Sequence, residues 1–131
     1  MFMERKAELV RFWQQISDLD FEAAATLFQS GKYPHALFFL HLSIEKLLKS
    51  YYIHVVEDYP PKTHNLVLIQ KSSQLHLPDD LSAGILEINT FNQEARYPDE
   101  KLEFYKKCTF SFAQEFMKKG EEIRKWLKKK F

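Results

Sequence analysis

The sequence predicts an all-α protein, an antiparallel up-down four-helix bundle with one short extra helix. Apolar residues recur at steps of three and four along most of the chain, which is the helical period. Only three glycines occur in 131 residues, well below the average usage of ~7%. Alternating apolar and polar residues, the pattern of half-buried strands, are not sustained anywhere. The length matches one domain, so we expect a single helical domain over residues 1–131.

The first two helices of the bundle are the longest. A helical stripe begins after Glu4 and continues to Ser30-Gly31, where glycine provides a C-terminal stop. Tyr33-Pro34 starts the second helix, because proline suits a first helical turn. The segment from Ala36 to Val56 is apolar on almost every side, which predicts a helix in the middle of the bundle. The β-forming run 51–56 has no second strand to pair with, so we assign it to the end of this helix.

Prolines delimit the remaining helices. Glu57 to Lys62, with two consecutive prolines, forms the longest loop, and Thr63 is then the predicted cap of the short extra helix. Leu77-Pro78-Asp79 precedes the third bundle helix, and Tyr97-Pro98 ends it. Asp99 and Glu100 place negative charge at the start of the last helix. The predicted buried stripe of that last helix is Leu102, Tyr105, Cys108 or Thr109, Phe112, Phe116, Ile123 and Trp126.

Charge is nearly balanced overall but divided along the chain. There are 19 basic and 18 acidic residues, a net charge of +1. Residues 118–131 hold seven basic and two acidic side chains, a net charge of +5, and the rest of the chain carries −4. Basic residues near a helix C-terminus interact favourably with the helix dipole, so a solvated tail explains this segment. Binding to RNA or to an acidic partner surface is the alternative interpretation.

Composition excludes several classes of protein and of site. Cys108 is the single cysteine and cannot form an internal disulfide, and no apolar run approaches the ~18 to 20 residues that span a bilayer. We therefore expect a cytoplasmic protein without a secretory signal or membrane contact. The sequence contains no glycine-rich phosphate loop. Its five histidines and one cysteine lack metal-ligand spacing, so we expect neither a metal nor a cofactor.

The second helix contains the most informative polar set. His41, Glu45 and Lys49 recur at steps of four and share one stripe of an otherwise apolar helix. An ordinary ion pair between Glu45 and Lys49 explains part of this pattern. In the functional alternative, Glu45 holds His41 in one tautomer and Lys49 is available to an anionic group.

Two further segments combine basic residues with helix boundaries. In Lys62-Thr63-His64-Asn65, capping of the short helix explains Thr63 or Asn65, whereas exposed amides beside Lys62 and His64 would suit an anion. In Arg96-Tyr97-Pro98, the arginine can pair with a carboxylate or with the last helical carbonyls. Its planar guanidinium also suits phosphate.

These segments, in this order, resemble the HEPN domain of prokaryotes and higher eukaryotes. The similarity is carried by Gly31-Lys-Tyr-Pro-His-Ala36, His41-x-x-x-Glu45-Lys46-x-x-Lys49, Thr63-His64-Asn65-Leu66 and Ala95-Arg96-Tyr97-Pro98, and it covers nearly the whole chain. The resemblance implies an up-down helical fold, a homodimer, and a minimal nucleotidyltransferase encoded as a partner.

Many HEPN proteins are metal-independent ribonucleases that carry an Arg-x4-6-His motif at the dimer cleft. Counting on from Arg96, that histidine would stand at Lys101, Leu102 or Glu103, and none of these is histidine. The general base is therefore missing from its expected place, and the chain resembles the non-nuclease branch. No catalytic residue is assigned, and no enzymatic activity is expected.

The resemblance implies a helical binding or regulatory protein: a homodimer that partners a minimal nucleotidyltransferase, of the toxin–antitoxin kind, and binds a nucleotide or RNA. Its candidate ligand-binding residues are His41, Glu45, Lys49, His64, Arg96 and Tyr97. Two alternatives stay open. One is an RNA-cleaving toxin with a variant site around Arg96 and Tyr97, and the other is a structural helical adaptor without a ligand.

Overall fold

The computed structural model describes residues 2–131, and their side chains from residue 4 onward. Within this range the structure is all-α, as predicted, and holds no β-strand. The seven helical segments are α1 Phe2–Gln29, α2 Tyr33–Val56, α3 Leu66–Ser72, α4 Asp79–Asn89, α5 Phe91–Arg96, α6 Glu103–Lys107 and α7 Phe110–Lys128. Five helices were predicted, and the difference arises because the last two predicted helices are each divided. None of the described helices combines the length and the apolar composition needed to cross a membrane.

Helix α2 lies at the centre of the described chain and contacts each of the other six helices. Helix α1 packs chiefly along α2, while α3, α5 and α7 contact other parts of α2. The apolar character of α2 on almost every side explains this position. Its fully buried residues include Leu37, Leu40, Ile44, Leu47, Leu48 and Ile53.

The ends of α1 and α2 agree with the sequence signals. Gly31 has a φ of +77°, a left-handed conformation that costs glycine little, and it separates the two helices. Pro34 lies in the first turn of α2. The 51–56 run is helical, and α2 ends where Glu57 turns left-handed and donates its backbone N–H to the Ile53 carbonyl.

The cap of the short helix α3 is Asn65, so the prediction of Thr63 was wrong. The Asn65 side chain accepts a hydrogen bond from the Leu68 backbone N–H at 3.1 Å, three residues further on. Asn65 immediately precedes the first helical residue, which is the position an N-cap must occupy. Thr63 lies two residues earlier, and its hydroxyl instead accepts the Asn65 backbone N–H at 3.1 Å.

The third bundle helix is interrupted at Thr90, which separates α4 from α5. The Thr90 hydroxyl and its backbone N–H both donate to the Glu87 carbonyl, at 2.9 and 3.2 Å. A threonine hydroxyl that bonds to the preceding turn competes with the regular helical pattern. The interruption is slight, since Thr90 itself keeps right-handed helical angles.

The predicted start of the last helix at Asp99 and Glu100 was wrong. The long helix α7 begins at Phe110, where Thr109 caps it by accepting the Phe112 backbone N–H at 3.2 Å. The preceding α6 is a separate turn of five residues. Leu102, predicted to be buried, has a φ of +53° and is 44% exposed. Cys108 is buried as expected, and burial raises the pKa of its thiol to about 11, which keeps the thiol protonated.

Candidate functional site

Helix α2 places three ionisable side chains on one buried face. His41 is fully buried, Glu45 is 1% exposed and Lys49 is 8% exposed. Their spacing of four residues stacks them one turn apart. The face they share meets the loop that leads into α3, because both His41 and Glu45 contact His64.

Glu45 is the centre of this network, since both of its carboxylate oxygens are occupied. One oxygen accepts a hydrogen bond from Lys49 Nζ at 3.0 Å, and the other lies 3.0 Å from His64 Nδ1. A buried carboxylate is tolerated only when paired in this way. Lys49 Nζ also lies 5.7 Å from the centroid of the Trp13 ring, which connects α1 to the same network.

His41 holds the loop that leads into α3 through the backbone of His64. Its Nε2 lies 3.0 Å from the His64 backbone carbonyl, and because a carbonyl only accepts, Nε2 carries the proton. Burial lowers the pKa of His41 to about 4, although the Glu45 charge opposes this change. The ring is therefore neutral at pH 7, and its bare Nδ1 lies 3.8 Å from Glu45 Oε1 without a hydrogen bond.

His64 presents the outer face of the network to solvent, with 60% of its side chain exposed. An ionised Glu45 only accepts hydrogen bonds, so the His64 Nδ1 facing it carries the proton. Nδ1 is thus committed to Glu45, and among the described contacts Nε2 has no recorded hydrogen-bond partner. A carboxylate that holds a histidine in one tautomer is a common arrangement at sites that bind ligands or transfer protons.

A cavity of about 400 Å³ lies beside His64. It is bounded by the α3 loop, the end of α4, helix α5 and the residue that follows α5. The residues that line it are mostly neutral and polar: Thr63, His64, Asn65, Asn89, Asn92, Gln93 and Tyr97. Amide side chains both donate and accept hydrogen bonds, so this wall suits a polar ligand with both kinds of atom.

Arg96 contacts two of the residues that line this cavity, Asn92 and Tyr97. The Arg96 guanidinium donates to Asn92 Oδ1 at 3.3 Å and to the Tyr97 hydroxyl at 3.1 Å, and it lies 5.1 Å from the Tyr97 ring centroid. Both recorded partners are neutral, so within the described residues no acid neutralises this arginine. Since arginine cannot accept a hydrogen bond, Asn92 must turn its oxygen to Arg96, which leaves its buried Nδ2 without a partner. The Tyr97 side chain is exposed.

The six candidate residues occupy one region but differ in exposure. His41 and Glu45 hold the loop through His64 but do not line the cavity. Lys49 forms with Glu45 the ion pair that the spacing alone predicted. His64 and Tyr97 line the cavity, and Arg96 reaches it through Tyr97 and Asn92.

Three residues that line the cavity were not predicted from the sequence as site residues, namely Asn89, Asn92 and Gln93. Asn89 accepts the Leu66 backbone N–H at 2.7 Å and donates to Asn65 at 3.2 Å, which anchors the start of α3. The spacing of Asn89, Asn92 and Arg96 could have indicated this wall, because steps of three and four residues place all three on one side of a helix. They form a polar stripe on a helix that is otherwise mostly apolar.

The basic end of α7 is largely paired within the protein. Arg124 and Lys128 both contact Asp18 of α1, and Lys119 and Lys125 lie near acids of α4 and α7. Burial opposes ionisation of Asp18, but its hydrogen bonds with Lys128 and Arg124 outweigh burial and lower its pKa. These contacts leave fewer free cations than the sequence alone indicates.

No group of histidine, cysteine and acidic side chains in the described chain is placed to hold a metal ion.

Comparisons with known proteins agree with this fold. The family model described as the HEPN domain matches residues 10–130. Among solved structures, the crystal structure of TT1696 from Thermus thermophilus is similar, with 16% sequence identity and a TM-score of 0.77. The similarity covers 93% of this chain and 98% of that one, and at this identity it indicates a shared fold. No curated protein matches the sequence.

Proposed function

Because this chain belongs to the HEPN domain family, we propose that it is a homodimeric binding and regulatory protein that partners a minimal nucleotidyltransferase and binds a nucleotide. The observation that carries the nucleotide site is the buried Glu45 network, which fixes His64 on the wall of a cavity that Tyr97 also lines, with Arg96 bonded to the Tyr97 hydroxyl. The desolvation cost of buried charges is offset only by close pairing and hydrogen bonds. Here those bonds fix the position of the loop that leads into α3.

The cavity offers a place for each part of a nucleotide. A base can stack on the exposed Tyr97 ring, an interaction of about 1 to 3 kcal/mol per base. The amides of Asn65 and Gln93 can bond to the polar edge of the base. Arg96, whose recorded partners are neutral, supplies the bidentate donor that suits phosphate. This mode of binding needs neither a glycine loop nor a metal.

Calorimetric titration with ATP, ADP and the other nucleoside triphosphates tests this site. We expect saturable binding of at least one nucleotide, weakened at least about tenfold in Arg96→Gln, since the loss of a phosphate contact removes about 1.4 kcal/mol or more. The matched control is Arg11→Gln, which removes an exposed arginine from α1 and should leave affinity unchanged. Absence of binding by every nucleotide at millimolar concentration would refute the nucleotide site.

Co-purification tests the proposed partner. The full chain, expressed with the product of any adjacent small nucleotidyltransferase gene, should form a stable complex on size exclusion. If neither the complex nor nucleotide binding is found, the structural-adaptor alternative is favoured.

One observation favours RNA cleavage as a second candidate function. Although the Arg-x4-6-His spacing is absent, His64 and Tyr97 line the same cavity, Arg96 contacts Tyr97, and the second ring nitrogen of His64 has no recorded partner among the described contacts. His64 could then take the proton of a ribose 2′-hydroxyl as that oxygen attacks the adjacent phosphorus. The 5′-oxygen would leave with a proton from water, and a cyclic phosphate would remain.

This alternative predicts that the purified protein cleaves RNA and arrests growth on expression. Cleavage should fall at least about a hundredfold in His64→Gln, because general base catalysis contributes on that order. Intact RNA after prolonged incubation with the wild-type protein would exclude RNA cleavage, and nucleotide binding would stay as the proposed function.

A further inference from the structure

The three asparagines of this chain all line the cavity beside His64. Asn65 immediately precedes α3, Asn89 is the last residue of α4, and Asn92 lies in the first turn of α5. No other asparagine occurs in the sequence. A free amide side chain both donates and accepts hydrogen bonds, so the ligand that this wall selects depends on which of its atoms are still free.

The chain itself occupies the acceptor atom of each asparagine. Asn65 Oδ1 accepts a backbone N–H of α3 at 3.1 Å and Asn89 Nδ2 at 3.2 Å. Asn89 Oδ1 accepts the first backbone N–H of α3 at 2.7 Å, and Asn92 Oδ1 accepts from Arg96 at 3.3 Å. Backbone N–H and guanidinium groups cannot accept hydrogen bonds, so turning any of these amides over would break the bond that its oxygen makes.

The atoms that stay free on these amides are donors. Asn65 is exposed, and its Nδ2 has no recorded hydrogen bond among the described contacts. Asn92 is 7% exposed, and its Nδ2 is buried without a partner in the described part of the chain. A buried N–H that lacks an acceptor is costly. An acceptor atom of a ligand in this cavity would remove that cost.

The two hydroxyl groups of the wall add donors. Thr63 Oγ1 accepts the backbone N–H two residues further on at 3.1 Å, and the Tyr97 hydroxyl accepts from Arg96 Nη2 at 3.1 Å. Each hydroxyl therefore keeps its own hydrogen to donate. Among the described contacts, Gln93 Oε1 and His64 Nε2 are the lining side-chain acceptors without a recorded bond. Free donors thus outnumber free acceptors on this wall.

We propose that this wall selects nucleotides whose base carries a keto oxygen, guanine and uracil, over those that carry an amino group in its place, adenine and cytosine. Guanine presents two acceptors, O6 and N7, along one edge, and O4 of uracil is also an acceptor. The amino groups of adenine and cytosine are donors and would meet the donors of the wall. This inference rests on the nucleotide site proposed above and adds a base preference to it.

The preference is a matter of degree, because the other contacts of the site do not distinguish bases. Stacking on the Tyr97 ring suits every base, and a phosphate contact with Arg96 carries no information about the base. An amino group that faces an amide N–H leaves both groups unpaired, which disfavours the wrong base. Adenine nucleotides therefore still bind, but more weakly than guanine nucleotides.

Calorimetric titration of the full chain with GTP, ITP and ATP tests the preference. The base of ITP has the O6 of guanine but lacks its 2-amino group, so a comparison with ATP isolates the keto edge. We expect GTP and ITP to bind at least about tenfold more tightly than ATP, and UTP more tightly than CTP. Equal affinities for ITP and ATP would overturn the base preference and leave the nucleotide site standing. Absence of binding by all five nucleotides would overturn both.

The variant Asn65→Asp tests whether the amide wall causes the preference, with circular dichroism to verify folding. Aspartate keeps the oxygen that caps α3 and accepts from Asn89, but it replaces the free Nδ2 with an acceptor. Its added charge repels the phosphates of every nucleotide alike, so the readout is the ratio of the ITP and ATP affinities. We expect that ratio to fall to about one.

The matched control is Gln15→Glu, the same change from amide to carboxylate on an exposed side chain of α1 that does not line the cavity. This variant should keep the wild-type ratio of the ITP and ATP affinities. An Asn65→Asp protein that also keeps the wild-type ratio would overturn the assignment of the preference to this wall.

Discussion

At the scale of single residues, the site depends on Glu45. This carboxylate is 1% exposed and joins Lys49 on its own helix to His64 on the α3 loop. The spacing of His41, Glu45 and Lys49 predicted that they share one stripe. It could not predict that His64, nineteen residues further on, returns to the same carboxylate, because that contact requires the α3 loop to fold back onto α2.

Replacing Glu45 with glutamine should therefore destabilise the protein strongly. The amide cannot accept from both Lys49 and His64, and it leaves the Lys49 charge buried and unpaired, so we expect a loss of about 3 to 5 kcal/mol. Glu121→Gln is the control, because Glu121 and Lys125 form an exposed pair at the same spacing of four. That change should cost less than about 1 kcal/mol. Urea denaturation gives both values, and equal losses would contradict a central role for Glu45.

The depressed pKa of His41 makes folding stability depend on pH. Its pKa is about 4 in the folded protein and 6.5 when unperturbed, so the unfolded chain binds the extra proton between these values. The contribution of neutral His41 to the free energy of unfolding is therefore fully present above pH 6.5. As the pH falls toward 4, the free energy of unfolding decreases by about 3 kcal/mol because of this group. His41→Gln, which retains a donor for the His64 carbonyl, should lack this part of the pH dependence. Denaturation measured from pH 7 to 4 gives the free energy of unfolding of both proteins. An equal decrease in the wild type and in His41→Gln would contradict this role of His41.

At the scale of helices, the sequence predicted boundaries well where glycine or proline marks them. The end of α1 at Gly31 and the start of α2 at Pro34 are such cases. The break before α7 carries neither residue, and it is the side-chain cap at Thr109 that starts the helix. Asn65 caps α3 instead of Thr63 for a similar reason, since both residue types cap helices and the position of the first helical residue decides between them.

Contact between α2 and α7 depends on a glycine within α7. A Cβ at Gly120 would overlap the fully buried Leu40 side chain, whereas a Cβ at Gly84 would meet the flexible stem of Lys119. Gly120→Ala should therefore cost about 1 to 3 kcal/mol despite the better helix propensity of alanine. Gly84→Ala, also within a helix, should cost less, because Lys119 can move aside. Thermal unfolding measures both, and a stabilised Gly120→Ala protein would show that the two helices can separate without cost.

At the scale of the whole molecule, α2 connects the fold, since it contacts each of the other described helices. Its His41 and Glu45 hold His64, which lines the cavity. The all-α class and the central position of α2 followed from the apolar pattern. The sequence could not predict which candidate residues line the cavity, because His41 and Lys49 are polar but are buried and do not line it. The division between supporting and exposed residues arises only from packing.

Nuclear magnetic resonance of the labelled histidine and tyrosine rings during titration with ATP tests the central claim most directly. If the cavity binds a nucleotide, the ring signals of His64 and Tyr97 should shift in a saturable manner, and the shifts should vanish in Arg96→Gln. The rings of His76 and Tyr59, which do not line the cavity, serve as internal controls. Unchanged His64 and Tyr97 signals at saturating ATP, or shifts of the control rings alone, would contradict the account.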